Sequence, residues 1–523
     1  MEESGINHRS GRSQIHRGNV VIVFLVVVFC GSAFALKDGQ CLTPPMGWSS
    51  WNWFGCSDRG NGIITDTLIR QMGHAMVSSG MRDSGYRYVN IDDCWGAGSR
   101  DADGGLVAIK TQFPGGMRTL ADSLHAMGLK FGLYTDVFEW TCAKFYNGAG
   151  QPGMWQHNQQ DADTFVSWGV DYLKVDYCSG SVTYPGTACQ QYSAVRDALK
   201  QAVTDEKNKG NANAHTLVFS ICDQGTQSPW LWGDTVGHLW RTGNDISTSW
   251  ATFWSEADGI ISLYPYAGPG GWNDPDMMEI GNGMSTSEDR AHFSLWCMLC
   301  APLIAGNDIR TMSAATKTTL TNREVIRVNQ DSLGSQGRKV VSGSSSEVLS
   351  KKMKDGGYSV LFVNLGAAAA SVGATWAQIG SADPAGTGLT ASTQLWGRDL
   401  WGRKDLGKFT GSYTAQNIPI HDVAMVRFYT YDYTITTETE YVATLKSEPR
   451  FRVSQTGAMI TIDMKKSGVV MMSIIDLKGR VMHEFHGHGP ATWNVPKPVS
   501  GLYFVKIRAG ADQNADVQRL LVN

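Results

Sequence analysis

This chain lacks any long run of one charge. Its 45 Lys and Arg stand against 48 Asp and Glu, and a net charge of −3 with no basic stretch excludes a polyanion such as nucleic acid as partner. Zinc-type His/Cys spacings and an EF-hand pattern are missing as well, so no metal and no cofactor is expected. There is no solenoid repeat and no low-complexity tract. The only marked apolar run, Val20 to Phe29, is too short for a convincing membrane span. Arg9, Arg12 and Arg17 precede it, and Ala33-Phe34-Ala35 follows as a small-x-small cleavage site. Residues 1–35 therefore read as a signal peptide cleaved after Ala35, which implies a secreted or cell-surface protein with no span after cleavage. A single-pass anchor is the alternative.

What is present in quantity is tryptophan, 18 residues, within an aromatic content of 10%. Such faces serve sugar-binding clefts and equally fill cores. A length of 523 residues predicts two or three domains. Of the ten cysteines, Cys30 leaves with the signal, and the odd remainder predicts at least one unpaired thiol. Residue types alone do not pair Cys41, Cys189, Cys222, Cys297 and Cys300.

Residues 37–335 alternate short apolar strands with amphipathic helical stretches. The predicted strands are 46–51, 88–92, 131–135, 172–176, 217–221, 239–242, 271–274 and 303–306. Between them lie helical segments such as 64–79, 117–127, 161–168 and 191–203. Eight such units imply parallel pairing in a closed (β/α)8 barrel rather than an open sheet. Nearly every strand ends in a polar residue, among them Asn52, Asp92-Asp93, Asp136, Asp176, Asp223, Arg241 and Asp274. Asp and Asn also start loops and cap helices. Tandem acids at several strand ends point instead to the catalytic rim of a barrel. Residues 338–432 read as a small antiparallel β-sandwich, and 440–523, beyond a Thr-rich linker at 434–439, as a third, β-rich unit.

Cleaving a glycosidic bond takes two carboxyl groups flanking it. Asp176 ends a buried strand, and Lys174, two residues earlier, shares its face. A cation there predicts an Asp176 held ionised, as a nucleophile requires. A buried structural ion pair is the other reading. Asp245, past the sixth strand, is the candidate general acid, with a pKa expected to rise beside Asp176. Asp92-Asp93 suits paired hydrogen bonds to sugar hydroxyls, or a divalent cation.

Several long motifs carry a family resemblance. Leu42-Thr43-Pro44-Pro45-Met46-Gly47-Trp48-Ser49-Ser50-Trp51-Asn52, Asn90-Ile91-Asp92-Asp93-Cys94-Trp95, Tyr172-Leu173-Lys174-Val175-Asp176-Tyr177-Cys178 and Gly270-Gly271-Trp272-Asn273-Asp274-Pro275-Asp276-Met277 resemble glycoside hydrolase family 27, the α-galactosidase family. His292 to Trp296, Ala301-Pro302-Leu303 and Val328-Asn329-Gln330-Asp331 match too. The resemblance implies a retaining double displacement on terminal α-galactosyl residues of oligo- or polysaccharides. Asp176 would be the nucleophile and Asp245 the acid/base. Trp51, Asp92, Asp93, Tyr134, Lys174 and Arg241 would bind galactose, and Cys56–Cys94 and Cys142–Cys178 would be disulfides. One position departs: where the family has Cys-Glu-Trp after the fifth strand, this chain has Cys222-Asp223-Gln224. Asp223 would keep an acceptor for the sugar O2 one methylene short. That leaves room for β-L-arabinopyranose, a galactose-like sugar lacking C6.

Ser473-Ile474-Ile475-Asp476-Leu477-Lys478-Gly479-Arg480-Val481 and Ser500-Gly501-Leu502-Tyr503-Phe504-Val505-Lys506-Ile507 resemble the sorting domain of type IX secretion. Secretion machinery is thus an expected partner, and an accessory carbohydrate-binding β-domain the alternative.

Overall fold

The computed structural model describes Leu36, residues 38–433 apart from positions 181, 212, 213, 384 and 387, and the strands between 451 and 522. The signal segment, residues 1–35, and the Thr-rich linker at 434–439 lie outside the described residues.

Eight parallel strands form the first sheet: β1 Met46–Ser49, β2 Tyr88–Asn90, β3 Lys130–Asp136, β4 Tyr172–Asp176, β5 Val218–Cys222, β6 Leu239–Arg241, β7 Trp272–Asp274 and β8 Leu303–Ala305. Neighbours in sequence pair along the sheet, and β8 returns to β1. The seam between β7 and β8 closes through Met278, four residues past β7. Its amide donates to Ile304 O at 2.7 Å, and its carbonyl accepts from the Gly306 amide at 3.0 Å. The predicted first strand stops early, because Trp51–Phe54 turns into a single helical turn. Helices lie between most strands, including Asp66–Ser78, Gly116–Ala126, Asn158–Ser167, Ala188–Asn208, Trp250–Ile261 and Thr286–Met298. Their starts follow local chemistry. Thr187 with Gln190, and Ser285 with Glu288, form reciprocal capping boxes that satisfy otherwise orphaned amides. Between β5 and β6 there are only two short 3-10 turns.

A β-sandwich follows. One sheet runs in the order β14-β13-β16-β11-β10-β9, and β12 pairs β15. The strands are β9 Arg338–Val341, β10 Ser346–Lys352, β11 Tyr358–Asn364, β12 Ala370–Thr375, β13 Gln394–Asp399, β14 Lys404–Thr410, β15 Ser412–Ile418 and β16 Val423–Tyr429. Alternation along β10 and β11 divides the burial. Val348, Val360 and Phe362 pack into the sandwich core with Trp376 and Phe428. Leu349, Leu361 and Val363 join the large core of the barrel. The central strands are therefore covered on both faces. Polar contacts reinforce the seam: Arg398 pairs with Glu324 through two bonds of 2.7 Å, and Trp401 Nε1 donates to Ser294 Oγ at 2.9 Å. Asp422, fully buried, accepts from Ser287 Oγ at 2.8 Å and from two nitrogens of Arg290.

The chain divides at Asp432/Tyr433 into two units. The second is an all-antiparallel sheet in the order β17-β18-β20-β21, with β19 also paired to β18. Its strands are β17 Phe451–Thr456, β18 Met459–Asp476, β19 Val481–Pro496, β20 Gly501–Ala509 and β21 Asp516–Val522. β18 is interrupted by an irregularity between Met464 and Gly468. No described helix is long and apolar enough to cross a membrane.

Arg290→Ala leaves the Asp422 carboxylate buried without its counter-charge. We expect a loss of about 3 kcal/mol of stability, measured as a lowered urea midpoint. Asp422→Asn, which removes the stranded charge, should cost less.

Candidate active site

The strand register builds the site in layers. Tyr134, Lys174 and Ser220 are aligned across β3, β4 and β5, and Asp136, Asp176 and Cys222 are aligned one layer nearer the C-terminal mouth. Residues two apart on a strand share a face, so Lys174 and Asp176 both enter the barrel. Two cation-centred clusters result.

The first gathers around Lys174. Its Nζ donates to Asp92 Oδ2 at 3.1 Å and lies 3.8 Å from Asp176 Oδ1. It also sits 5.0 Å from the centre of the Tyr134 ring. Tyr134 donates its hydroxyl to Asp176 Oδ2 at 2.7 Å. The other nucleophile-candidate oxygen, Oδ1, is buried and has no hydrogen-bond donor among the described residues. Burial pushes the Asp176 carboxyl above its usual range. Lys174 pulls it down without offsetting that, and Asp92 pushes it further up. The expectation that Lys174 alone holds Asp176 ionised is corrected here: the ammonium's nearer partner is Asp92.

The second cluster gathers around Arg241. Its Nη2 donates to Asp276 Oδ2 at 2.6 Å and to Asp245 Oδ1 at 2.9 Å. Burial is the largest influence and pushes Asp245 upward, but the charges of Arg241 and Lys174, together with hydrogen bonds from Arg241 and Gln224, outweigh it. Its carboxyl therefore lies below the ordinary value, opposite to the rise expected beside Asp176. The Asp245 side chain is 66% exposed at the mouth, and the guanidinium is its near neighbour. Asp276 was not singled out from sequence as a site residue. It occupies a left-handed backbone conformation, φ +96°, and accepts both from Arg241 and from the Ile246 amide at 2.9 Å. It thereby fixes the loop that carries Asp245. Cys222, a buried free thiol, stands between the clusters, 3.8 Å from Arg241 Nη1.

Other candidates are placed differently. Asp92 Oδ1 accepts from the Asp93 amide, and the Asp93 oxygens accept from the amides of Cys94 and Ala143, at 3.0, 2.7 and 2.9 Å. Donors, with Lys174 among them, thus surround this pair, an arrangement ill suited to a divalent cation. Trp51 packs edge-on to Tyr146 with ring centres 6.1 Å apart, and Arg59 lies 5.5 Å over its ring. Asp223 is tied to its own loop. Its two oxygens accept from the backbone amides of Gly225 and Gln227 at 3.0 and 3.2 Å, and it is 2% exposed. These bonds hold the loop after β5. Gln224, next to it, reaches Asp245 Oδ1 at 3.5 Å.

Two disulfides lie beside these groups. Cys56–Cys94 ties the turn after β1 to the tandem aspartates, and Cys142–Cys178 ties the segment after β3 to the segment after the nucleophile candidate. Beneath the latter, Asp136 accepts from the amides of Phe138 and Cys178, each at 2.8 Å. Asp136, Cys142 and Cys178 approach one another closely enough to suggest a metal site. The two sulfurs are bonded to each other, however, and are not thiolate ligands. A cavity of about 490 Å³ opens at the opposite end of the barrel among Arg118, His125, Lys130 and Asp171. It holds none of these groups.

Burial raises Asp93 to about 6, Asp223 to about 6 and Asp276 to about 7. Folded chains thus bind more protons than unfolded ones between the ordinary carboxylate range and about pH 7. The stabilising contribution is complete below the unfolded pKa and is lost as pH rises through the folded values. Thermal midpoints should therefore climb as pH is lowered from about 8 to about 5. A flat or falling profile over that window would contradict these shifts.

The model of the family described as alpha galactosidase A matches residues 43–331, and that of the alpha galactosidase C-terminal beta sandwich domain matches 343–428. The α-galactosidase A of Cellvibrio japonicus is 44% identical over 364 residues, covering 68% of this chain and 83% of that one. The crystal structure of α-galactosidase I from Mortierella vinacea superposes with a TM-score of 0.67 at 32% identity, over 75% of this chain and 98% of that one. An α-galactosidase of Saccharomyces cerevisiae, solved with raffinose, gives 0.66 at 26% identity, over 75% and 98%. With the barrel, the sandwich and the acidic mouth in place, these matches establish that the chain belongs to the α-galactosidase family, glycoside hydrolase family 27.

Proposed function

We propose that this α-galactosidase-family hydrolase is a secreted, retaining exo-enzyme that removes terminal α-D-galactosyl residues from oligo- or polysaccharides. Asp176 attacks the anomeric carbon and Asp245 serves as acid, then base. The observation that carries the reading is Asp176 Oδ1, a buried carboxylate oxygen without a hydrogen-bond donor, while Tyr134 anchors Oδ2 at 2.7 Å. An anchored carboxylate with one oxygen left over can attack without first breaking a bond. Its raised basicity also makes it the stronger nucleophile once ionised.

Asp245 at the mouth can exchange protons with water. The Arg241 hold lowers its pKa, and a sugar hydroxyl that accepts from Arg241 would compete for that donor. Asp245 would then rise toward the range a general acid needs. Forming the glycosyl–enzyme bond removes the Asp176 charge, which favours Asp245 as base in the second step. Asp92, Asp93, Lys174 and Trp51 line the same end of the barrel and are assigned to binding the sugar ring. The Saccharomyces relative's complex with raffinose fits a galactoside substrate.

The case for β-L-arabinopyranose rests on Asp223-Gln224 in place of Glu-Trp; the Asp223 oxygens accept from backbone amides, and this sugar stays the alternative. Export is supported by the signal pattern and by two disulfides, which persist in oxidising compartments. The C-terminal unit is assigned to delivery by type IX secretion on its residue pattern.

Asp176→Asn should lower turnover of an aryl α-galactoside by about 10⁴-fold or more, and near-normal activity would sink the nucleophile assignment. Rates of the unsubstituted enzyme on aryl α-galactoside and aryl β-L-arabinopyranoside, compared side by side, decide the sugar.

A further inference from the structure

Far from the acidic mouth, one buried pair has no part in the chemistry above. Lys351, on β10 of the sandwich, is fully buried. Its Nζ donates to Cys300 Sγ at 2.9 Å and to Val328 O at 2.5 Å. Among the described residues no carboxylate lies within ion-pair reach of it. A buried ammonium without a counter-charge is a costly arrangement. Cys300, on the barrel side, is also fully buried and is a free thiol whose Sγ donates to Ser335 O at 3.3 Å.

The backbone carries a second anomaly at the same place. Cys300 follows the helix Thr286–Met298 in the left-handed conformation, φ +55°, where glycine is the usual residue. A side chain kept at a strained position, aimed at a buried amine, marks a functional site. Cys297, one helical turn earlier, is also buried and unpaired.

We infer that Lys351 and Cys300 form a redox-sensitive covalent staple, an N–O–S link, between the β-sandwich and the barrel. A single bridging oxygen fits between atoms this close. The oxidant is dioxygen, which is small and apolar enough to enter a packed interior. The Lys351 ammonium first releases one proton to solvent; one N–H bond of the resulting amine and the S–H bond of cysteine then break, and an N–O and an O–S bond form. One oxygen atom of dioxygen becomes the bridge, and the other leaves as water with the two hydrogens. Nitrogen and sulfur each give up an electron pair, and dioxygen accepts both. The product nitrogen bears oxygen, is weakly basic and stays uncharged, so the link removes the isolated buried charge that the reduced pair carries. A thiol reductant attacks the sulfur and breaks the O–S bond; a second thiol frees the Cys300 thiol, and the oxygen stays on the Lys351 nitrogen as a hydroxylamine.

The test uses the full chain purified in air, denatured and alkylated with iodoacetamide before any reductant is added. The staple predicts that Cys300 resists alkylation while Cys41 and Cys222 label. Proteolysis should yield a Lys351–Cys300 peptide pair with one oxygen more and two hydrogens fewer than its parts, lost on reduction. Lys351→Met should restore labelling of Cys300. Cys300→Gly, which suits the left-handed backbone, should fold and lose the cross-linked pair. Complete labelling of Cys300 in air-exposed protein, or its recovery in a disulfide with Cys297, overturns the proposal.

Discussion

Two buried cations organise the mouth of the barrel. Carboxylates crowd there because β3, β4 and β7 end in Asp136, Asp176 and Asp274 while Asp92 and Asp223 follow just past β2 and β5, and a low-dielectric interior does not tolerate them ionised without compensation. Lys174 draws Asp92 and Asp176 to one point, and Arg241 draws Asp245 and Asp276 to another. Neither cation neutralises its cluster completely. Asp176 and Asp276 remain above their ordinary range, whereas Asp245 falls below it. Two carboxyls of the same kind are thereby set apart by environment alone, the condition for assigning them different proton states in one reaction.

The rest of the molecule holds this arrangement still. The disulfides fasten the segments after β1, β3 and β4, where the acidic residues emerge. Asp136 secures the chain just after Asp176 through the Cys178 amide, and Asp276 secures the Asp245 loop through the Ile246 amide. The sandwich covers the helices of the barrel with strands buried on both faces.

Much of the fold was legible because it is written locally. Alternation of apolar strands and amphipathic helices gave eight units, and β4 falls on its predicted residues, Tyr172–Asp176. The motifs around Asp92, Asp176 and Asp274 carried the family resemblance that the barrel and sandwich matches bear out. Strand ends were less legible. Trp51 was expected within a strand and lies in a helical turn, because a strand's end depends on where its partner stops pairing.

The sequence by itself determined the parallel barrel, the order of its strands, the following β-domains and the face that Lys174 and Asp176 share. All of these depend on residue spacing along one chain. Only the tertiary structure decided which cation serves which acid. Lys174 reaches furthest toward Asp92, 82 residues away in sequence, and Arg241 toward Asp276. Only it showed that Asp223 faces its own backbone. A carboxylate's charge state and direction depend on every donor within a few ångströms, and those donors come from strands that meet only when the barrel closes.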